Sequence, residues 1–167
     1  AITIYRMFYF ASSFNGDLSE WDVSHVESMP YAFGHAAFVG GDLTKWKTGK
    51  VTNMYASFYG TPFNGDVSTW DVSRVTEMSS VFALTSEFNS DISAWNVSNL
   101  VYAGSMFKAA QKFNSDISKW NTGKIQSIGS MFRLTPVFNG DISKWDVGQV
   151  TNMGSVFNKA KVFNRDL

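Results

Sequence analysis

Tryptophan occurs six times in this chain, at positions 21, 46, 70, 95, 120 and 145, so the steps between them are 25, 24, 25, 25 and 25. Everything else keeps phase with that spacing. Seven or eight residues before each Trp stands a Phe: Phe14, Phe38, Phe63, Phe88, Phe113 and Phe138, with Phe163 opening another unit. Twelve residues after each Trp stands a second: Phe33, Phe58, Phe82, Phe107, Phe132 and Phe157, preceded by Phe8. Fourteen of the fifteen Phe fall into these two columns, and only Phe10 does not. Four residues before each Trp is an Asp: Asp17, Asp42, Asp66, Asp91, Asp116 and Asp141, with Asp166 in the last, partial unit. Internal repetition at a fixed period constrains a fold more than any local propensity.

The chain therefore reads as one array over residues 1–167, about six and a half units of 24–25 residues, with both ends cut inside a unit. One unit cannot bury its aromatic rings alone, but stacked units can, each coil contacting its neighbours. Two periodicities occur within the unit. Met78, Val81, Phe82 and Thr85 are spaced i, i+3, i+4, i+7, as are Ala103, Met106, Phe107 and Ala110, and Met153, Val156, Phe157 and Ala160. That spacing predicts a short helix of about two turns, weakened by Gly104, Gly129 and Gly154 near its start. In Asp66–Val72, Trp70 and Val72 lie two apart, which predicts a short strand. Asn-Gly and Asn-Ser after the first Phe mark a turn. Strands stack at about 4.8 Å and helices at about 8–10 Å, so a coil holding both must curve with its strands inside. The expected class is an α/β solenoid, a leucine-rich-repeat-like right-handed coil with a short strand and a short helix in each unit.

Runs such as Phe63–Met78 and Trp145–Met153, with the spelling F-N-x-D-[LIV]-[ST]-x-W-[DN]-[VT]-x-x-[VLI]-x-x-[MI], resemble the BspA-type leucine-rich-repeat-like surface protein repeats. The stretch from Phe14 to Trp21 is closest in spelling to bacterial and microalgal, diatom-like members. The resemblance covers essentially the whole chain. It implies a cell-surface or secreted location and a binding or adhesive role, and it brings no catalytic residues and no cofactor.

The repeated positions read first as structure. An Asp followed two residues later by Ser or Thr fixes a turn by accepting backbone N–H groups, whereas one carboxylate per coil is few for a calcium ion seeking six or more oxygens. A calcium-stabilised module is thus a minor alternative, and no metal site is expected. The Asn column (Asn15, Asn64, Asn89, Asn114, Asn139, Asn164) predicts buried amides bridging adjacent coils, interrupted at Val39, where one extra residue separates Phe38 from Asp42. The constant Trp positions Trp21, Trp46, Trp70, Trp95, Trp120 and Trp145 read as core.

The variable positions carry the functional candidates. Four residues after each Trp stand His25, Lys50, Arg74, Asn99, Lys124 and Gln149, a mostly basic stripe. Tyr31, Tyr55 and Tyr59 lie in the segment where later units carry Gly and Ser, and with Tyr9 and Phe10 they are expected to form an exposed aromatic patch, the kind of surface that marks contact with a partner. The expected partner is a protein or a polysaccharide. Fourteen basic residues balance fourteen acidic ones, so nucleic acid is not expected. No apolar run reaches the ~20 residues of a membrane-spanning helix. With two histidines, His25 and His35, no cysteine and no phosphate-binding loop, no enzyme is expected. Asn96-Val97-Ser98 is an N-glycosylation sequon. The alternative to a binding scaffold is a structural subunit or spacer in a larger assembly. No atypical polar unit closes either end, so further repeats or another chain are expected to cover them.

Overall fold

The computed structural model describes residues 1–165. Its coils stack in parallel. Strand β1 (Ile2–Thr3) pairs with β2 (Val26–Ser28) in the register Ile2↔Val26 and Thr3↔Ser28. The same position then continues up the stack as single parallel bridges, Ser28↔Asn53, Asn53↔Glu77, Glu77↔Tyr102, Tyr102↔Ser127 and Ser127↔Asn152. No other strand and no helix occurs among the described residues. The expected α/β solenoid, a leucine-rich-repeat-like coil with a strand and a helix per unit, is therefore wrong.

Hydrogen bonding in the segment read as helical explains the error. Between Met78 and Thr85 the N–H groups alternate. Val81, Ala83 and Thr85 donate three residues back, to the carbonyls of Met78, Ser80 and Phe82, at 3.1, 3.1 and 3.3 Å. Met78, Ser80, Phe82 and Leu84 donate instead to Tyr102, Gly104, Met106 and Lys108 of the next coil, at 2.8–3.0 Å. An α-helix would send every N–H to the residue four back. Here half the donors close β-turns and half tie coil to coil. Successive turns need two left-handed residues per coil, here Ser80 (φ 59°) and Leu84 (φ 59°), and the pair recurs at Tyr31 and His35, Ser105 and Ala109, and Ser130 and Leu134.

The side chains read as one helical face still point inward: Met78, Val81, Phe82 and Thr85 are all fully buried. Two facts favour turns over a helix here. Ser and Gly at these positions are weak helix formers. The Phe columns also stack too closely, with centroids 5.3 Å apart for Phe33–Phe58, 5.7 Å for Phe58–Phe82, 6.0 Å for Phe82–Phe107 and 5.9 Å for Phe107–Phe132. Helices need about 8–10 Å between axes.

The segment read as a strand is also built of turns. Trp70 N–H donates to Val67 and Val75 N–H to Val72, and only Asp42↔Asp66 forms a bridge there. Val67, Trp70, Val72 and Val75 nonetheless all face the core.

The core is an aromatic stack. Within a coil the two Phe columns meet face to face, at 3.7 Å for Phe82–Phe88 and for Phe107–Phe113. Between coils, the rings 5.3–6.0 Å apart lie in the range where offset-stacked pairs contribute about 0.5–1.5 kcal/mol each beyond their burial. Each buried indole donates Nε1–H to a carbonyl of the preceding coil: Trp46 to Leu18, Trp70 to Leu43, Trp95 to Val67, Trp120 to Ile92 and Trp145 to Ile117, at 2.9–3.1 Å. In the first and last described coils, which lack a neighbour on one side, Trp21, Met7 and Met153 are exposed while their equivalents in the middle are buried.

Candidate functional site

The Asp column makes the turns expected of it. The Oδ1 atoms of Asp17, Asp42, Asp66, Asp91, Asp116 and Asp141 accept the N–H two residues on, from Ser19, Thr44, Ser68, Ser93, Ser118 and Ser143, at 2.9–3.0 Å. All six are exposed, and Asp166 lies outside the described residues. Hydrogen bonds from Ser19, Ser93 and Ser118 are the main cause holding Asp17, Asp91 and Asp116 below the usual carboxylate value, against the opposing charge of the next Asp in the row. A second set of turns follows five of the six Trp, with Asp22, Asp71, Asn96, Asn121 and Asp146 accepting from Ser24, Ser73, Ser98, Gly123 and Gly148, while Lys47 follows Trp46. Among the described residues no three carboxylates or imidazoles converge as a metal would need.

The Asn column is a ladder, but an exposed one rather than the buried one expected. Asn64 Oδ1 accepts the N–H of Asn89, Asn89 that of Asn114, Asn114 that of Asn139 and Asn139 that of Asn164, at 2.8–3.1 Å. Where Val39 interrupts it, Asn15 Oδ1 accepts the Val39 N–H and Val39 carbonyl accepts the Asn64 N–H.

The basic stripe lies on its own face. His25, Lys50, Arg74 and Lys124 are exposed. Lys124 Nζ reaches Asn99 Oδ1 at 2.6 Å, and Asn99 Nδ2 reaches the Ser73 carbonyl. His25 Nδ1 lies 3.0 Å from Ser24 Oγ.

The aromatic patch lies on a different face, formed by the alternating turns. There the structure gathers more than the residues named from sequence. Tyr9 meets Tyr31 edge-on at 5.4 Å, and Tyr31 meets Tyr55 at 5.3 Å. Phe10, 62% exposed, lies flat on His35 at 4.6 Å, and His35 meets Tyr59 at 5.0 Å. The Arg6 guanidinium sits 5.0–5.4 Å from the rings of Tyr5, Tyr9 and Tyr31, within cation–π range. A hydrogen bond to the Tyr55 side chain is the main cause pushing the Tyr31 hydroxyl's pKa up.

Size alternation seats these rings. Any Cβ at Gly34 would lie 2.9 Å from Tyr9, and one at Gly60 would lie 2.7 Å from His35 Nδ1. Beside the rings a cavity of about 230 Å³ opens, lined by Tyr31, Tyr55, Tyr59, Ser80, Ser105 and Lys108 among others. Arg6, His35 and Lys108 were not named with the patch from sequence. Their signal was available, since each occupies the same turn segment of its unit as the tyrosines. A larger, apolar cavity of about 570 Å³ flanks the last described coil, over Ile142, Trp145, Met153 and Phe157. In earlier coils the next unit covers the equivalent residues.

Stacked coils with a private aromatic core and variable side chains outside define a repeat protein whose distinctive chemistry is on its surface. The chain belongs to the family described as "Mycoplasma protein of unknown function, DUF285", which is the family of the BspA-like surface repeats; the family model matches residues 2–66 and 54–167. No curated protein and no solved structure matches the chain.

Proposed function

We propose that this chain is a non-enzymatic repeat scaffold, displayed at the cell surface or secreted, that presents its turn face to a protein or polysaccharide partner. The supporting observation is the concentration of Tyr9, Phe10, Tyr31, Tyr55 and Tyr59 on one face in the first coils. Later coils carry Gly, Ser, Ala, Leu, Asn or a cation at the same positions, and no aromatic ring. A spacer needs only to stack, and nothing about stacking calls for aromatic side chains on an outer face. Large, partly exposed rings are instead the usual anchors of recognition surfaces. Their absence from later coils separates them from the core columns, which repeat in every unit.

The test is retention of the labelled chain by cell-wall polysaccharide and by membrane-protein fractions, compared with a variant carrying Phe10→Ser and Tyr55→Ser. Retention by at least one fraction, lost in the variant, is expected. If no fraction retains the chain, the structural-spacer reading replaces this one.

A further inference from the structure

The six residues of each coil that build the turn face are 5–10, 30–35, 55–60, 79–84, 104–109, 129–134 and 154–159. Across these segments stand Arg6, Lys108, Arg133 and Lys159 and not one Asp or Glu, in a chain whose charges otherwise balance. Neither ion pair of the described residues involves them: Lys45 pairs with Glu20, and Lys112 with Glu87. Two carboxylates close to these segments in sequence are already engaged, Glu77 with the N–H of Ser79 at 2.6 Å and Glu87 with Lys112. The face thus combines uncompensated positive charge with partly exposed rings and a cavity whose lining carries hydroxyls.

We propose that this face binds an acidic polysaccharide laid along the stack, a deepening that rests on the binding reading above. Sugar rings pack their C–H faces on Tyr31, Tyr55 and Tyr59. The hydroxyls of those tyrosines and of Ser80 and Ser105 take the ring hydroxyls. Lys108 and Arg133, in the next coils, and Arg6, at the other end, meet carboxylate or sulfate groups. Each part follows from chemistry: aromatic faces with hydroxyls fit the two-sided character of a pyranose, and cations with no carboxylate paired to them attract polyanions. A neutral glycan would leave the cations without a role. A single-stranded nucleic acid would also find rings and cations, but its phosphates call for a dense basic groove, whereas here coils two to four carry no lysine or arginine on this face.

The test is affinity electrophoresis of the full chain through gels containing alginate, polygalacturonate, heparin, neutral dextran or polyuridylate. Three proteins are compared: the parent, a Tyr59→Ala/Lys108→Ala variant that removes one positive charge, and a Lys50→Ala/Arg74→Ala/Lys124→Ala variant that removes three from the other basic stripe. Circular dichroism first establishes that all three have the same melt. The expected result is retardation by an acidic glycan but not by dextran, weakened about tenfold in the Tyr59/Lys108 variant and by added salt, and little changed in the stripe variant. Alginate or polygalacturonate as the best probe identifies a carboxylated chain, and heparin a sulfated one. The proposal is overturned if no acidic glycan retards the parent, if the stripe variant loses retardation instead, or if polyuridylate binds more tightly than every glycan. Should the Tyr59/Lys108 variant melt lower than the parent, Lys108→Ala alone, which removes the side chain beyond Cβ at the cavity rim and leaves the rings in place, replaces it. If retention by cell fractions persists while these gels show nothing, the binding reading stands and this one falls.

Discussion

Replacing Ser130 with Gly distinguishes the turn-built coil from a helical one by the sign of the stability change. Ser130 occupies the first left-handed position of its coil, at φ 58°. A non-glycine residue in that region carries about 1–2 kcal/mol of steric strain. Gly removes that strain but adds freedom to the unfolded chain, which costs about 0.4–1 kcal/mol. The difference leaves a net stabilisation of about 0.5–1 kcal/mol. Both backbone bonds survive, since Ser130 N–H donates to Gly154 at 2.8 Å and its carbonyl accepts from Arg133 at 3.1 Å. In a helix the same change would destabilise by about 0.5 kcal/mol, because Gly is the poorer helix former.

The assay is thermal and urea unfolding of the parent, Ser130→Gly and Ser130→Val. For a chain of this size, Tm should rise by about 1–3 °C in Ser130→Gly. Ser130→Val, which forces a β-branched side chain into a region it avoids, should lower stability by about 1 kcal/mol or more. A lower Tm for Ser130→Gly together with an unchanged one for Ser130→Val would refute the reasoning. The unfolding must be followed by two probes, because repeat arrays can melt from their ends.

Three further changes probe other parts of the coil. Trp95→Phe deletes the Nε1–H bond to the Val67 carbonyl at 3.0 Å, an acceptor that keeps the Trp70 N–H, so urea titration should show a loss of about 0.5–1.5 kcal/mol; no measurable loss would mean that the indole bond is not structural. Gly60→Ala, at φ 68° with its new Cβ 2.7 Å from His35 Nδ1, should destabilise by about 1–3 kcal/mol and shift the His35 ring resonances in NMR, and a neutral result would contradict the close seating of that ring. Asp116 is held below 3.8 chiefly by the Ser118 N–H and hydroxyl; with the folded pKa below the unfolded one, its contribution is fully present above 3.8 and is lost as pH falls through the folded value. Asp116→Asn keeps the turn, as Asn96 does with Ser98 at 3.2 Å, so melts in acid should show a smaller fall in stability for the variant than for the parent, and parallel acid profiles would remove this carboxylate from the account. Melting in chelator and in millimolar calcium should agree for the parent, since a cation bound only to the folded state would raise Tm.

The side-chain positions were legible because burial depends on which residues recur, not on how the backbone joins them. Met78, Val81, Phe82 and Thr85 face the core in successive turns as they would in a helix. Residues spaced i, i+3, i+4 and i+7 therefore report an inner face without reporting its hydrogen bonds. The Asp and Asn columns were readable for a related reason: an Asx residue that accepts an N–H two residues on makes a local bond, set by spacing alone. The aromatic patch was readable as a set of residues, but its additional members were not. Arg6, His35 and Lys108 join it because the coil-to-coil bonds bring the outer positions of neighbouring units close enough to touch, with rings and guanidinium 4.6–5.4 Å apart, where packed helices would hold the units about 8–10 Å apart.

The signal that decides the backbone was nonetheless present in the two Phe columns. A ring repeated at one position of every unit, in a core with no room for another layer, must stack on its own copy in the next coil. Aromatic rings in contact set that step near the 5.3–6.0 Å observed between successive Phe, well below the spacing of packed helices. The step is close to that of hydrogen-bonded strands, so every coil can donate N–H groups directly to the next. Once those bonds are made, a helix has no donors left to close its own turns. The remaining N–H groups can only bond three residues back, and that bond forces left-handed residues, Ser80, Ser105, Ser130 and Ser155 at the first position of the later coils and Leu84, Ala109, Leu134 and Lys159 at the second. On this reasoning the small residues of the later coils, which weaken a helix, are the residues a stack of turns requires. Arg6 and Tyr31, which take the place of Ser at the first left-handed position in the first coils, stand where something other than stacking selects the side chain.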